Sequence, residues 1–130
     1  MKSILNISII FLALLVLSSC QDILEVPDIS NKNIELLAPK DSTTVLHNNV
    51  SFTWTEILEA DTYSVQIATP NFNNAAQIEF DTILRVDSTF IRTGIIQNLP
   101  DSDYEWRVKA LNSGYETNYS SSVFTVKSSN

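Results

Sequence analysis

The chain has 130 residues and carries 15 acidic against 8 basic side chains, a net charge of −7. This charge excludes nucleic acid and anionic lipid head groups as expected ligands. The length predicts a single domain. One histidine, one cysteine and two glycines leave too few ligands for a transition metal and no glycine-rich phosphate loop, so we expect no metal and no cofactor.

The first 19 residues have the pattern of a segment that is removed after export. Met1-Lys2 is a short positive start. The apolar run that follows, 4–17, has about 14 residues, fewer than the roughly 20 that span a bilayer as a helix. Leu17-Ser18-Ser19-Cys20 then resembles the lipobox of bacterial lipoproteins. An ordinary secretory signal with an incidental cysteine, or an uncleaved anchor, is the alternative.

The lipobox resemblance implies cleavage before Cys20 and acylation of that residue by palmitate and related chains. It implies a lipid-anchored protein of the cell envelope, and we expect the outer membrane of a Gram-negative bacterium. Cleavage removes only Lys2 among the charged residues, so the net charge moves from −7 to −8. We interpret 20–33 as the lipidated N-terminus and a tether with a reach of ~40 Å, at ~3.3 Å per residue.

From residue 34 onward, apolar and polar residues alternate in short runs. Alternation with a period of two is typical of half-buried strands, because successive side chains point to opposite faces. Turn-forming clusters separate the runs, and only Glu56–Ala60 has helical character, in a segment too short to exceed a turn. About seven such strands predict an all-β, antiparallel β-sandwich. The clearest alternating runs are 50–55, 63–67, 76–81, 104–110 and 123–126.

Three motifs resemble a fibronectin type III domain: Val50-x-Phe52-x-Trp54, Ala60-x-x-Tyr63-x-Val65-x-Ile67 and Leu99-Pro100-x-x-x-Tyr104-x-Trp106-x-Val108-x-Ala110. The resemblance covers Ile34 to Val126, so we place the domain at 34–127, with a general immunoglobulin-like sandwich as the alternative. It implies that Trp54 is the strand-B tryptophan and Tyr104 the tyrosine corner. The predicted core residues are Phe52, Trp54, Tyr63, Val65, Tyr104, Trp106 and Val108. The alternative for the two tryptophans is a carbohydrate-stacking platform.

Two segments depart from the family pattern. The stretch from Pro70 to Val86 is longer and less regular than a typical connection between strands C and C′. Within it, Ala76, Ile78 and Phe80 are expected on one face. The stretch 90–99 fits two alternations, one using Phe90 and Ile96, the other Ile91 and Ile95, so its register stays open.

Three aromatic residues fall in predicted loops. Tyr115 and Tyr119 flank the F–G connection among Asn, Ser and Gly residues, and Phe72 lies among asparagines in another loop. Loops at the ends of a sandwich often bind ligands, and this composition resembles that of recognition loops. The alternative is that these rings pack over the edge of the sandwich.

Three short acidic motifs resemble acceptors of a general O-glycosylation system that acts on exported proteins in some Gram-negative bacteria. They are Asp41-Ser42-Thr43, Asp81-Thr82-Ile83 and Asp87-Ser88-Thr89. The resemblance makes Ser42, Thr82 and Ser88 candidate glycosylation sites, and we expect all three at turns or strand ends.

Catalytic motifs are missing from the sequence, which has no Gly-x-Ser-x-Gly elbow, and so we expect no enzyme. The prediction is a non-catalytic binding or spacer module that is anchored through Cys20 and serves another envelope protein. The alternative is a glycan-binding accessory lipoprotein of a polysaccharide-utilisation system. An exposed aromatic pair spaced for a sugar ring would favour the glycan, and a long flat apolar edge would favour the protein.

Overall fold

The computed structural model describes residues 3, 4, 6, 23–86 and 93–129. Within these ranges no helix is long and apolar enough to span a membrane. The ranges contain eight β-strands, which in chain order are β1 (Leu36–Ala38), β2 (Thr43–Val45), β3 (Asn49–Trp54), β4 (Thr62–Thr69), β5 (Gln77–Arg85), β6 (Gly94–Asn98), β7 (Ser102–Leu111) and β8 (Ser120–Val126).

The strands form two sheets that pack against each other. One sheet has three strands in the order β1-β3-β6, and the other has five in the order β2-β8-β7-β4-β5. All pairings are antiparallel except that of β2 with β8, which is parallel. The predicted all-β sandwich is confirmed, and the number of strands is corrected from seven to eight.

The additional strand is β2, which the alternation does not predict. The chain leaves the three-stranded sheet after β1, turns at Ser42 with a positive φ of 60°, and joins the other sheet beside β8. The Ser42 amide donates to the Val123 carbonyl at 2.8 Å, which fixes this crossing. A strand of three residues with an exposed, exposed and half-exposed pattern has no periodicity to detect.

The inner faces of both sheets supply one core. Each of the seven predicted core residues is at most 1% exposed. The Phe52 ring from β3 meets the rings of Trp106 and Phe124 from the other sheet edge-on, with centroid distances of 5.0 and 5.5 Å. Trp54 and Trp106 are 1% and 0% exposed, so neither ring can serve as a stacking platform for a carbohydrate.

The polar atoms of the buried aromatic rings differ in how they are satisfied. The Tyr104 hydroxyl donates to the Pro100 carbonyl at 2.7 Å, the geometry expected of a tyrosine corner. The Trp106 indole nitrogen donates to the Pro39 carbonyl at 3.1 Å. The Trp54 indole nitrogen is buried and has no acceptor among the described residues.

Two buried tyrosines are held in their neutral form. The Tyr63 hydroxyl accepts a hydrogen bond from the Ile57 amide at 2.8 Å, and burial raises its pKa. Burial also raises the pKa of Tyr104, and the negative charges of Glu79 and Asp101 add to that shift. Loss of solvation disfavours the phenolate in both cases.

The domain begins earlier than the sequence suggested. Ile29 is 1% exposed and belongs to the core. The Pro27 carbonyl accepts a hydrogen bond from the Asn112 side-chain amide at 2.8 Å. Val26 lies so close to Gly114 that a Cβ at that glycine would be 3.3 Å from Cγ1 of Val26. The predicted tether over 20–33 is therefore too long, because the packed structure starts near Val26.

A β-bulge changes the face of one predicted strand. The pairing of β4 with β5 slips by one residue between Ile67 and Ala68. As a result Phe80 packs against the core, whereas Ile78 is 48% exposed. The expectation that Ala76, Ile78 and Phe80 share one face is wrong for that reason.

The register of β6 follows one of the two predicted alternations. Ile95 pairs with Phe52 and packs against the core. Ile96 pairs with the exposed Ser51 and is 68% exposed. The alternation that uses Ile95 therefore holds over the described part of the segment, and Phe90 and Ile91 lie outside the described residues.

Candidate functional site

An arginine in contact with two aromatic rings occupies the outer face of the five-stranded sheet. The Arg107 guanidinium carbon lies 3.9 Å from the ring centre of Phe72 and 4.3 Å from that of Tyr119. The Arg107 Nε donates to Oε1 of Gln66 at 2.8 Å. A guanidinium is attracted to the negative faces of aromatic rings, so both rings and the amide hold this side chain in one orientation. We call these four residues the arginine stack.

Strand alternation places Arg107 and Gln66 on the outer face. The two residues are directly opposite each other in the pairing of β4 with β7. Trp106 and Val108, on either side of Arg107, are fully buried and point into the core. Successive side chains of a strand point to opposite faces, so the residue between these two must point outward.

Phe72 reaches the sheet because the loop between β4 and β5 folds back over it. The Phe72 amide donates to a carboxylate oxygen of Glu105 at 2.9 Å. The side chain of Asn71 accepts a hydrogen bond from the Asn74 amide at 2.8 Å, which closes a local turn. The loop is thus tied both to itself and to β7, and its aromatic ring is brought to Arg107.

Tyr119, just before β8, supplies the second ring that contacts the arginine. Its hydroxyl is 3.3 Å from the Ser64 hydroxyl. The Lys109 ammonium is 4.9 Å from the ring centre and forms a salt bridge of 3.0 Å with Glu116. Two of the few cations of an acidic domain are therefore side by side on this face, although Glu116 partly neutralises one of them.

Tyr115 is separate from the arginine stack. It is 41% exposed, and its amide donates to the side chain of Asn112 at 2.8 Å. The same asparagine side chain also accepts from the Gly114 amide and donates to the Pro27 carbonyl. The loop between β7 and β8, which is the predicted F–G connection, is therefore tied to the N-terminal segment that contains Pro27. Of the three predicted loop aromatics, the structure brings Phe72 and Tyr119 together through Arg107 and leaves Tyr115 apart.

Sequence reasoning missed Arg107 and Gln66. The alternation around Trp106 identifies Arg107 as outward-facing, which is a signal for exposure only. The two aromatic partners come from different loops, and their meeting point depends on the register of β4 against β7. That register cannot be obtained from any one segment of the sequence.

The other predicted sites fall in several places. Cys20 and Ser88 lie outside the described residues. Ser42 is exposed in the turn before β2. Thr82 lies in the middle of β5, opposite the fully buried Val65, and faces inward. The expectation of a turn or strand end is therefore wrong for Thr82.

Asp101 and Asp103 take structural roles at the end of the sheet. Asp101 accepts from the backbone amide and the hydroxyl of Ser128, and these bonds lower its pKa. Asp103 accepts from the Thr125 hydroxyl at 2.7 Å. Across the described ranges, no group of three or more His, Cys, Asp or Glu side chains could hold a metal ion.

An open depression of about 420 Å³ lies near the same end of the sheet. Its lining includes Thr43, Asn71, Thr125 and a single acidic residue, Asp103. Two lining groups can titrate, Asp103 and Tyr104, and both already form hydrogen bonds, to the Thr125 hydroxyl and the Pro100 carbonyl. The arginine stack is the more distinctive surface feature.

Comparison with solved structures shows which fold this is. The chain is similar to the crystal structure of FN3tt, with 14% identity and a TM-score of 0.50 over 73% of this chain and 95% of that one. It also matches a computer-redesigned β-sandwich protein, at 21% identity, a TM-score of 0.48 and coverages of 75% and 94%. The solution structure of the fn3 domain of human contactin 1 matches at 19% identity, a TM-score of 0.48 and coverages of 82% and 83%. No protein-family model and no curated protein matches the chain.

Proposed function

We propose that this domain, whose fold is that of a fibronectin type III-like sandwich, is a non-catalytic binding module. It is held at the cell envelope by lipid on Cys20, and it docks another envelope protein on the outer face of its five-stranded sheet. The observation that carries the proposal is the arginine stack, in which one guanidinium contacts two aromatic rings on the outer face of the sheet. Arginine and tyrosine are among the residues that most often dominate binding energy at protein interfaces.

The surroundings of the stack support a protein partner. Val123, on the neighbouring strand β8, is 43% exposed, and Ile78, on β5, is 48% exposed. These apolar side chains flank a polar centre in which Gln66 already satisfies one nitrogen of Arg107. Fixing the arginine before binding lowers the entropy lost on association.

A glycan partner is the second candidate, and the geometry of the rings favours it less. A sugar ring stacks on an open aromatic face, whereas Phe72 and Tyr119 each direct one face at Arg107. The face of each ring that is turned to Arg107 is therefore not available to a sugar. Tyr115 is exposed but stands alone.

Photo-crosslinking in intact cells tests the protein partner. The photoreactive residue is placed at Ser121, which is exposed on β8 directly opposite Arg107. Gln66 is avoided because replacing it would remove one member of the arginine stack. We expect one discrete crosslinked protein from Ser121, and its loss when Arg107→Glu is added. Ser51, exposed on the other sheet, is the matched control position and should not give that product.

Several results would contradict this proposal. The same product from Ser51, or a product from Ser121 that survives Arg107→Glu, would exclude the arginine stack as the docking surface. Specific binding of the full chain to a glycan array, lost in Phe72→Ala and retained in Tyr115→Ala, would replace the protein partner by the glycan.

The anchor is tested separately. Cys20→Ala should abolish labelling by a palmitate analogue and release the chain from the membrane fraction or leave it unprocessed. Normal labelling in Cys20→Ala would refute the lipid anchor while leaving the docking surface untouched.

A further inference from the structure

Strand β5 is a long sheet edge that is open on one side. It has nine residues and, among the described residues, pairs only with β4. The other three edge strands are shorter: β1 and β2 have three residues each and β6 has five. An open edge presents a row of unpaired backbone donors and acceptors, which natural proteins usually keep short or block.

The usual blocking devices are weak in β5. The strand contains no lysine and no proline, and its bulge affects only the end near Ile78. The inward-facing Phe80 and Leu84 remain partly exposed, although their neighbours on β4, Ile67 and Tyr63, are fully buried. One further strand beside β5 would complete the burial of these two side chains.

The backbone of β5 determines which residues can bond to such a strand. The Val86 amide donates to the Asp61 carbonyl at 2.8 Å, toward the β4 side. Backbone groups of successive residues point to alternate sides of a strand, so Leu84 and Thr82 also point toward β4. Asp81, Ile83 and Arg85 therefore direct their amides and carbonyls to the open edge.

We propose that β5 pairs antiparallel with β5 of a second copy of this chain, with Ile83 opposite Ile83 of the other copy. In this register Asp81 of each copy lies opposite Arg85 of its partner, which gives two pairs of opposite charge. Cross-strand pairs of this kind stabilise a sheet. Ile83, which is 63% exposed in the single chain, would then be covered by Ile83 of the other copy.

The neighbouring registers are less favourable. Centring the pair on Asp81 would set that carboxylate against itself, because directly opposite side chains of an antiparallel pair lie on the same face. Centring it on Thr82 would set Asp81 against Ile83 and bring Arg85 opposite Glu79 at the bulged end of the other copy, where the ladder is irregular. Of these three registers, only the one on Ile83 forms its charge pairs within regular strand.

This pairing would make one continuous sheet of ten strands. A two-fold axis perpendicular to the sheet keeps both outer faces on the same side. The two copies of β7 would be five strand spacings apart, about 24 Å at ~4.8 Å per strand. The dimer would thus present two arginine stacks on one face, although its formation does not depend on what those stacks bind.

Cysteine crosslinking of the full chain in its membrane tests the register. Opposite residues of a hydrogen-bonded antiparallel pair have Cα atoms ~5.5 Å apart, within the usual range for a disulfide. Ile83→Cys should therefore form a covalent dimer under mild oxidation on a non-reducing gel. Asp81→Cys should not, since its two copies would be offset by about 13 Å along the strands. Ile96→Cys, which is 68% exposed in the wild type, controls for random collision, and the wild type controls for Cys20.

The outcome is decisive in each direction. A dimer from Ile83→Cys alone supports the pairing. No dimer from Ile83→Cys, or equal dimer from all three variants, would overturn it. Preferential linking of Asp81→Cys would overturn the proposed register.

A charge exchange gives a second test that needs no new thiol. In sedimentation of the purified full chain in detergent, Arg85→Asp should raise the dimer dissociation constant about tenfold, because both charge pairs become repulsive. The double variant Asp81→Arg/Arg85→Asp should restore the wild-type constant to within about twofold. An unchanged constant in Arg85→Asp, or no recovery in the double variant, would contradict the proposal.

Discussion

The two sheets share one core and differ in what they display. The inner faces are closely similar, since Trp54 from one sheet and Trp106 from the other are both buried, with ring centres 6.4 Å apart. The outer face of the three-stranded sheet sets Ser51 opposite Ile96 and Thr53 opposite Gly94. The outer face of the five-stranded sheet carries the arginine stack. The inner faces of both sheets therefore carry the same kind of residue, large apolar side chains. Only the wider sheet combines neighbouring strands with a loop that folds over its outer face, and these together form the arginine stack.

The largest effect should come from breaking the shared core. Trp54→Ala and Trp106→Ala should each lower the free energy of unfolding by about 3–5 kcal/mol, because each removes a buried ring from the contact between the sheets. Denaturant unfolding of both variants measures this. Leu58→Ala, at a side chain that is 76% exposed, is the control and should change stability by no more than ~0.5 kcal/mol. Unchanged unfolding of either tryptophan variant would contradict the equivalence of the two inner faces.

Replacement by phenylalanine should separate the two tryptophans. Both variants lose ring volume, but only Trp106→Phe removes a hydrogen bond, the one to the buried Pro39 carbonyl. Trp106→Phe should therefore cost about 1 kcal/mol more than Trp54→Phe, whose indole nitrogen has no acceptor in the described chain. If denaturant unfolding gives the same loss of stability for both variants, the hydrogen bond makes no net contribution to the free energy of unfolding.

The outer faces should differ by a smaller amount. Arg107→Met keeps much of the aliphatic stem and removes the charge between Phe72 and Tyr119, so it should destabilise by about 1 kcal/mol. Ser51→Ala on the other sheet should stay within ~0.5 kcal/mol of the wild type. Thermal melting of the two variants side by side tests this contrast. Equal stability of Arg107→Met and Ser51→Ala would show that the guanidinium contributes nothing measurable to folding.

The smallest effect should appear in acid, at the end of the five-stranded sheet. Hydrogen bonds from Ser128 lower the pKa of Asp101, so the folded protein binds this proton less readily than the unfolded chain. The resulting stability is present above the ordinary carboxyl pKa of ~3.9 and is lost as the pH falls through the lowered value. Asp101→Asn should therefore melt slightly below the wild type at pH 6, and the gap should narrow at pH 2.5. A gap that is constant with pH would contradict this linkage.

The sequence predicted the core because alternation and burial are local signals. Tyr104, Trp106 and Val108 occupy every second position of one strand, and all three are buried. The position of Ile78 could not be predicted, because the bulge beside Ala68 is a property of two paired strands rather than of one segment. The short strand β2 was missed since three residues show no period.

The candidate site was only half predictable for a related reason. Phe72 and Tyr119 were singled out by loop composition, but the residue that joins them, Arg107, lies in the middle of a strand. Its role depends on the register of three strands and on a loop that folds back. Composition identifies which residues can bind, whereas tertiary pairing decides which of them meet.

The docked segment from Val26 to Ile29 also sets a length scale for the whole molecule. If Cys20 carries lipid as proposed, Val26 lies only six positions after the anchored residue, a maximum reach of ~20 Å at ~3.3 Å per residue. That is shorter than the ten-residue strand β7, which spans ~33 Å. The F–G loop with Tyr115 lies against this segment, so an anchor at Cys20 would turn that end of the sandwich toward the lipid. Such an anchor would confine the domain to a thin layer along the membrane surface, and partners would have to reach that layer to bind.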